Sequence, residues 1–129
     1  MKEEPFKRKI MADVVSIAGY ARKLSPYGNA GFPDLLIVKN RTLHIEAKQA
    51  QNHAAMFKKI SVSNPLQNIE RKKIIHAGGN YWLAGSTKKH GVILICWLPY
   101  DVDRGNSFVF EKYAGFKEFL FRFLKGEKQ

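Results

Sequence analysis

The stretch from Pro33 to Lys48 constrains the fold more than any other. Leu35-Leu36-Ile37-Val38 is an unbroken apolar run of strand length, and Leu43-His44-Ile45-Glu46-Ala47-Lys48 alternates with a period of two. The first pattern fits a buried strand and the second a half-buried one. Lys39-Asn40-Arg41 between them is a turn, so the two strands should form a hairpin. With the turn centred near Asn40, Asp34 folds back to the neighbourhood of Glu46 and Lys48, although Asp34 and Glu46 are 12 residues apart. Glu46 and Lys48 lie two apart and share one sheet face, whereas Ala47 points into the core. Two carboxylates and an ammonium therefore converge on one spot.

Around this hairpin the order reads helix, strand, strand, strand, helix, strand, strand, strand, helix. Phe6, Ile10, Val14 and Ala18 recur at helical spacing from Pro5 to about Ala18, with Pro5 suited to a first turn and Gly19 a stop. Tyr20 to Leu24 fits a short strand, and the following 25–31 stretch is rich in turn formers. Residues 49–63 are polar and weakly patterned, and a loop of that length in a compact domain is often functional. Asn64-Pro65 is a good helix start, with Leu66, Ile69, Ile74 and Ile75 as its apolar side and Ala77-Gly78-Gly79 as its end. Tyr81 to Ala84, Val92 to Leu98 and Ser107 to Glu111 read as strands. Phe116, Phe119, Leu120 and Phe123 form the aromatic face of a closing helix. No repeat, low-complexity tract or linker divides the 129 residues, so one domain over 1–129 is expected.

Composition narrows the partners. Lys and Arg number 22 against 11 Asp and Glu, a formal charge of +11 with a pI near 9.9. An excess of this size in a small domain favours a polyanion through counterion release. Hydrophobic residues at 45% and charged residues at 26% describe a globular chain rather than a disordered one. The one cysteine, Cys96, sits in an apolar run and reads as a buried hydrophobe, and no Cys/His zinc spacing occurs. That run is too short to span a membrane, and the polar start Met1-Lys2-Glu3-Glu4-Pro5 is unlike a signal peptide. No membrane partner and a reducing cytoplasm, cellular or phage-encoded, are the expectation.

Paired carboxylates suit hard divalent cations such as Mg²⁺, which takes oxygen ligands and keeps several waters. A plainer reading makes Glu46 and Lys48 a solvated polar face and Asp34 a turn residue after Pro33. An E-x-K triplet alone is common. Pro-Asp, an apolar strand, a turn and a second strand ending Glu-Ala-Lys form a far more specific context.

In that context the chain resembles the PD-(D/E)XK nuclease superfamily. Gly31-Phe32-Pro33-Asp34-Leu35-Leu36 is similar to its PD half and Ile45-Glu46-Ala47-Lys48 to its ExK half. The Gly-x-Pro-Asp-Leu entry resembles VRR-NUC domains and archaeal Holliday-junction resolvases. Ser63-Asn64-Pro65-Leu66-Gln67-Asn68-Ile69, with Gly78-Gly79 and the hydrophobic strand beyond, resembles RecU-type resolvases. The likeness covers about residues 3 to 98 and leaves the last thirty or so without a placeable motif. It implies an α/β, restriction-endonuclease-like core, with a central mixed sheet of about four to five strands flanked by helices. It also implies Mg²⁺ or Mn²⁺ held by Asp34, Glu46 and the main-chain carbonyl of Ala47, with Lys48 as the catalytic lysine.

Two parts of the pattern are displaced. Members often add a glutamate from the first helix, which here is Glu3 or Glu4. Glu3 shares a face with Phe6, Ile10 and Val14, whereas Glu4 shares one with Met11 and Val15. Glu3 is the preferred fourth ligand, although both glutamates would also suit a helix N-terminus electrostatically. The glutamine that RecU-type proteins carry later in the second helix is replaced near that place by Lys73. Gln67 stands earlier, able either to contact the lysine or phosphate or to face solvent. Among the basic residues, Lys58 and Lys59 beyond the active-site strand are the leading DNA contacts, since dispersed lysines position phosphates without reading bases. His44 lies on the Glu46 face without ligand spacing. A junction-cutting homodimer leads this reading, with the Phe-rich last helix either its interface or part of its own core. A nicking, repair or restriction-type nuclease of the same fold is the alternative, and a non-catalytic basic nucleic-acid-binding module is the alternative from another class.

Overall fold

The structure is a computed structural model that describes residues 2–24, 32–52, 54–55, 65–87, 91–98 and 104–127. The first helix, α1 (Glu3–Ser16), begins two residues before Pro5, which sits in the first turn where its missing N–H costs nothing. Phe6, Ile10 and Val14 point inward at four-residue spacing and are fully buried. Ala18, rather than Gly19, takes the left-handed backbone at φ 60°, and the Gly19 N–H closes the end on Val14 O at 2.9 Å. A Cβ on Gly19 would meet Val14 Cγ1 at 2.6 Å, so only glycine lets the chain turn this closely.

Six strands follow: β1 (Tyr20–Lys23), β2 (Leu35–Lys39), β3 (Arg41–Ala50), β4 (Asn80–Thr87), β5 (Gly91–Trp97) and β6 (Gly105–Phe110). They form one sheet in sequence order, antiparallel throughout except where β3 and β4 run parallel. A parallel pair needs a crossover, and α2 (Pro65–His76) lies within it. The closing helix is α3 (Tyr113–Leu124). The expected mixed α/β sheet flanked by helices is therefore present, with six strands rather than four to five. The strands beyond that core count are the edges, β1 and β6, and both fall where the sequence reads as strand, at Tyr20 to Leu24 and Ser107 to Glu111.

Helices cover both faces. On one, α1 and α3 bury Phe6, Ile10, Val14, Phe116, Leu120 and Phe123 against Ile37, Ile45, Ala47 and Trp82. Trp82 is the centre of this layer, with Phe123 at 4.8 Å and Phe119 at 5.5 Å between ring centroids. The aromatic face of α3 thus packs on its own core, with Phe119 left partly buried. On the other face, Ile75 of α2 packs on Tyr81, Leu83, Ile93, Ile95 and Trp97. Covering both faces explains why β4 and β5 read as continuous apolar runs. Two sequence readings change here. Leu66 and Ile69 do not join the apolar side of α2 but remain 48% and 49% exposed, leaving Ile75 and part of Ile74 as its contact. The segment read as a loop from Gln49 begins later, because β3 continues to Ala50 through pairing of Gln49 with Ser86 and Ala50 with Thr87. Asn64, expected to cap α2, lies outside the described residues.

Candidate metal and phosphodiester site

The site starts from the hairpin register. Asn40 takes a left-handed φ of 63°, and Lys39 pairs with Arg41, Ile37 with Leu43 and Leu35 with Ile45. Continuing this register by one residue sets Asp34 opposite Glu46. Beyond the end of β2 the Asp34 side chain extends the ladder, its Oδ2 accepting the Ala47 N–H at 2.8 Å. The main chain at Asp34 is held as well, because its carbonyl accepts the Leu24 N–H at 2.9 Å. Ala47 itself is fully buried toward α1 and α3, so Glu46 and Lys48 must face the α2 side.

On that side α2 supplies Gln67. Its Nε2 donates to Glu46 Oε2 at 3.2 Å and its Oε1 accepts from Lys48 Nζ at 3.3 Å. Of the two roles open to Gln67 in the sequence, contact with the lysine is the one the fold provides. The amide links the Glu46 carboxyl to the Lys48 ammonium.

Glu46 is 3% exposed and sits beside a second acid. Burial, then hydrogen bonding to Asp34 and repulsion from its charge, push the Glu46 carboxyl up to about 9, against the pull of Lys48. Two anions cannot share such a place without a proton or a cation between them. Burial likewise raises the Tyr81 hydroxyl, with the Glu46 charge adding to it.

Helix α1 meets the site through Lys7, whose Nζ lies 3.7 Å from Asp34 Oδ1, 2.7 Å from Glu4 Oε1 and 3.9 Å from Glu3 Oε1. Burial alone would lower this ammonium, but Glu4, Asp34 and Glu3 outweigh it and hold it above its ordinary value. Glu4 also pairs with Lys23 at 2.6 Å, and Lys23 and Lys7 together hold its carboxyl down at about 2. Neither helix-one glutamate is drawn in with Asp34 and Glu46. Among the described residues, no group of three or more His, Cys, Asp or Glu is placed to hold a metal ion together. Glu3 reaches the site only through space, as a charge that helps raise Glu46, and through Lys7, which bridges it to Asp34.

The donors present still fit a divalent cation of the hard, oxygen-seeking kind. Asp34 and the buried Glu46 bring two carboxylates together, the Ala47 main chain follows Glu46 directly, and waters can complete the shell. His44 stands next along the same face, beside Tyr81 in the register. Burial lowers its pKa, and its Nδ1 is buried with no partner among the described residues. Lys58 and Lys59 lie outside the described residues. No role for Lys7 was read from the sequence. The available signal was its position three residues before Ile10 and seven before Val14, on the inward side of the helix.

No family model matches the sequence, and no curated protein sequence does. Among solved structures the chain is similar to a VRR_NUC domain, at 23% identity over 67% of this chain and 87% of that one, with a TM-score of 0.49. It is also similar to Hjc of Archaeoglobus fulgidus, a Holliday junction resolvase from an archaeal hyperthermophile. That match has 11% identity, covers 85% of this chain and 89% of that one, and has a TM-score of 0.45.

Proposed function

We propose that this chain is a metal-dependent DNA endonuclease that hydrolyses phosphodiester bonds, with branched DNA such as a four-way junction as its preferred substrate. The observation that carries the proposal is the Asp34–Glu46 pair, with Glu46 buried and tied through Gln67 to Lys48. A binding module has no use for two acids in one such place, since they weaken both the fold and the attraction to DNA. A phosphodiesterase does, because the paired acids would hold a cation for use on a scissile phosphate. Asp34, Glu46 and the Ala47 carbonyl would hold Mg²⁺ or Mn²⁺, with Glu3 joining through rearrangement of its pair with Lys7. Such an ion supplies Lewis acidity toward the phosphate and lowers the pKa of water.

The chain's own residues do the rest. Lys48 orients the attacking water or offsets charge developing on the phosphate oxygens. Gln67 fixes the Lys48 ammonium relative to Glu46, so the two enter the reaction in register. Lys58 and Lys59, with the +11 charge behind them, draw in the DNA backbone. Four-way junctions carry two symmetric strands to cut, and a homodimer working in a reducing cytoplasm belongs to the same proposal. Among the described residues no helix is long and apolar enough to cross a membrane.

A substrate panel tests this reading. The protein is incubated with a four-way junction, linear duplex and single strands, each with Mg²⁺, Mn²⁺ or EDTA. Paired symmetric cuts in the junction, dependent on metal, are expected. Equal cutting of every DNA would remove the junction preference and leave a general nuclease, whereas no cutting under any metal would remove the enzyme.

A further inference from the structure

Lys7 takes no part in that chemistry. It is 8% exposed on the inward side of α1, beside Phe6, whereas a lysine serving the DNA backbone stays at the surface. Its ammonium lies between two kinds of acid, Glu4 at 2.7 Å and Asp34 at 3.7 Å. The other Asp34 oxygen is taken by the Ala47 N–H, so the carboxylate is held on both sides.

From this we infer that Lys7 is a positioning residue that competes with the divalent cation for Asp34, with Glu4 as the acceptor onto which the ammonium withdraws. The inference rests on the metal-site reading. A buried ammonium needs a counter-charge, and Lys7 keeps one in Glu4 when its hold on Asp34 loosens. Lys23 meets the other Glu4 oxygen at 2.6 Å and brings one half-exposed charge to the same acid without touching Asp34. A cation held at Asp34 would repel Lys7 and leave it the Glu4 carboxylate at 2.7 Å as its counter-charge. Lys7 therefore fixes the Asp34 carboxylate and sets the metal affinity below what the acid pair alone would give.

Calorimetric Mn²⁺ titration of the full chain, without DNA, tests this on Lys7→Met, Lys7→Arg and Lys23→Met. Lys7→Met should bind Mn²⁺ about tenfold more tightly than wild type, the effect of removing one charge next to the ion. Lys7→Arg should stay within about twofold of wild type, and Lys23→Met, which loses the same charge from a solvent-screened strand, within about threefold. Unchanged affinity in Lys7→Met, or an equal gain in Lys7→Met and Lys23→Met, overturns the inference and leaves the metal site standing. Absence of Mn²⁺ binding in wild type instead overturns the metal site itself, and this inference with it. Should Lys7→Met not fold, Glu4→Gln carries the test with opposite sign: Lys7 is left to Asp34 and Mn²⁺ should bind several-fold more weakly. Unchanged affinity there overturns the inference.

Discussion

Replacing Glu46 by glutamine should stabilise the metal-free protein while removing its activity, and the gain should grow with pH. The folded carboxyl is raised from an ordinary 4.5 to about 9, mainly by burial and then by Asp34. The folded state therefore binds the extra proton, and stability falls as pH rises from about 4.5 to about 9, then levels off. At pH 7.5 the unfolded chain has released that proton and the folded chain still holds it. Three pH units at about 1.36 kcal/mol each set a ceiling of about 4 kcal/mol. Local relaxation and water reaching the carboxyl bring the expected effect to about 2 kcal/mol. For a chain of this length that is a rise in Tm of about 8 °C. Glutamine keeps the shape and the hydrogen bond to Gln67 without a charge to bury. Thermal unfolding in EDTA from pH 5 to 9 reads the gap between variant and wild type. It should be small at pH 5 and widen through pH 8. Added Mg²⁺ should raise the wild-type Tm and leave the variant's where it was. Parallel pH profiles for the two proteins would refute the claim that Glu46 is a proton-holding, metal-seeking acid.

Two other substitutions separate binding from chemistry. Lys48→Ala should slow cleavage by about a hundredfold or more while junction binding, read by gel shift in Ca²⁺, stays within about twofold; parallel loss of both would contradict its role. Gln67→Ala should lower the cleavage rate about tenfold with little change in DNA affinity, because it releases Lys48 from Glu46. An unchanged single-turnover rate would make that bridge incidental.

Much of this site was legible in the chain because a hairpin is local. Asn40 tolerates a left-handed backbone, and two strands of strict pattern leave no other register that keeps Ile45 and Ala47 inside. The inward face of α1 was legible for the same reason, through Phe6, Ile10 and Val14. What escaped depends on tertiary partners. Leu66 and Ile69 suit a packed face by pattern, yet the apolar sheet surface in front of α2 meets Ile74 and Ile75, while the first turn reaches the sheet through the polar Gln67. The extra length of β3 comes from its parallel pairing with β4, a partner some thirty residues away whose register no local pattern encodes. Lys7 escaped because a lysine at the margin of an apolar stripe reads as solvated, and only the fold brings Glu4 and Asp34 to it. Glu3 and Glu4 show the limit of a motif. Their spacing suits a ligand, but the cation beside them is their neighbour Lys7.

In the proposed function Asp34 and Glu46 together hold the ion that makes phosphodiester cleavage possible. Single-turnover cleavage of a four-way junction in Mn²⁺, comparing wild type with Asp34→Asn, tests it most directly. The substituted amide keeps the size of the side chain and an oxygen to accept the Ala47 N–H, so the fold should survive, as circular dichroism would confirm. The rate should fall at least about a thousandfold, on the scale set by loss of a principal electrostatic contributor. A folded Asp34→Asn protein that cuts the junction at the wild-type rate would contradict the account.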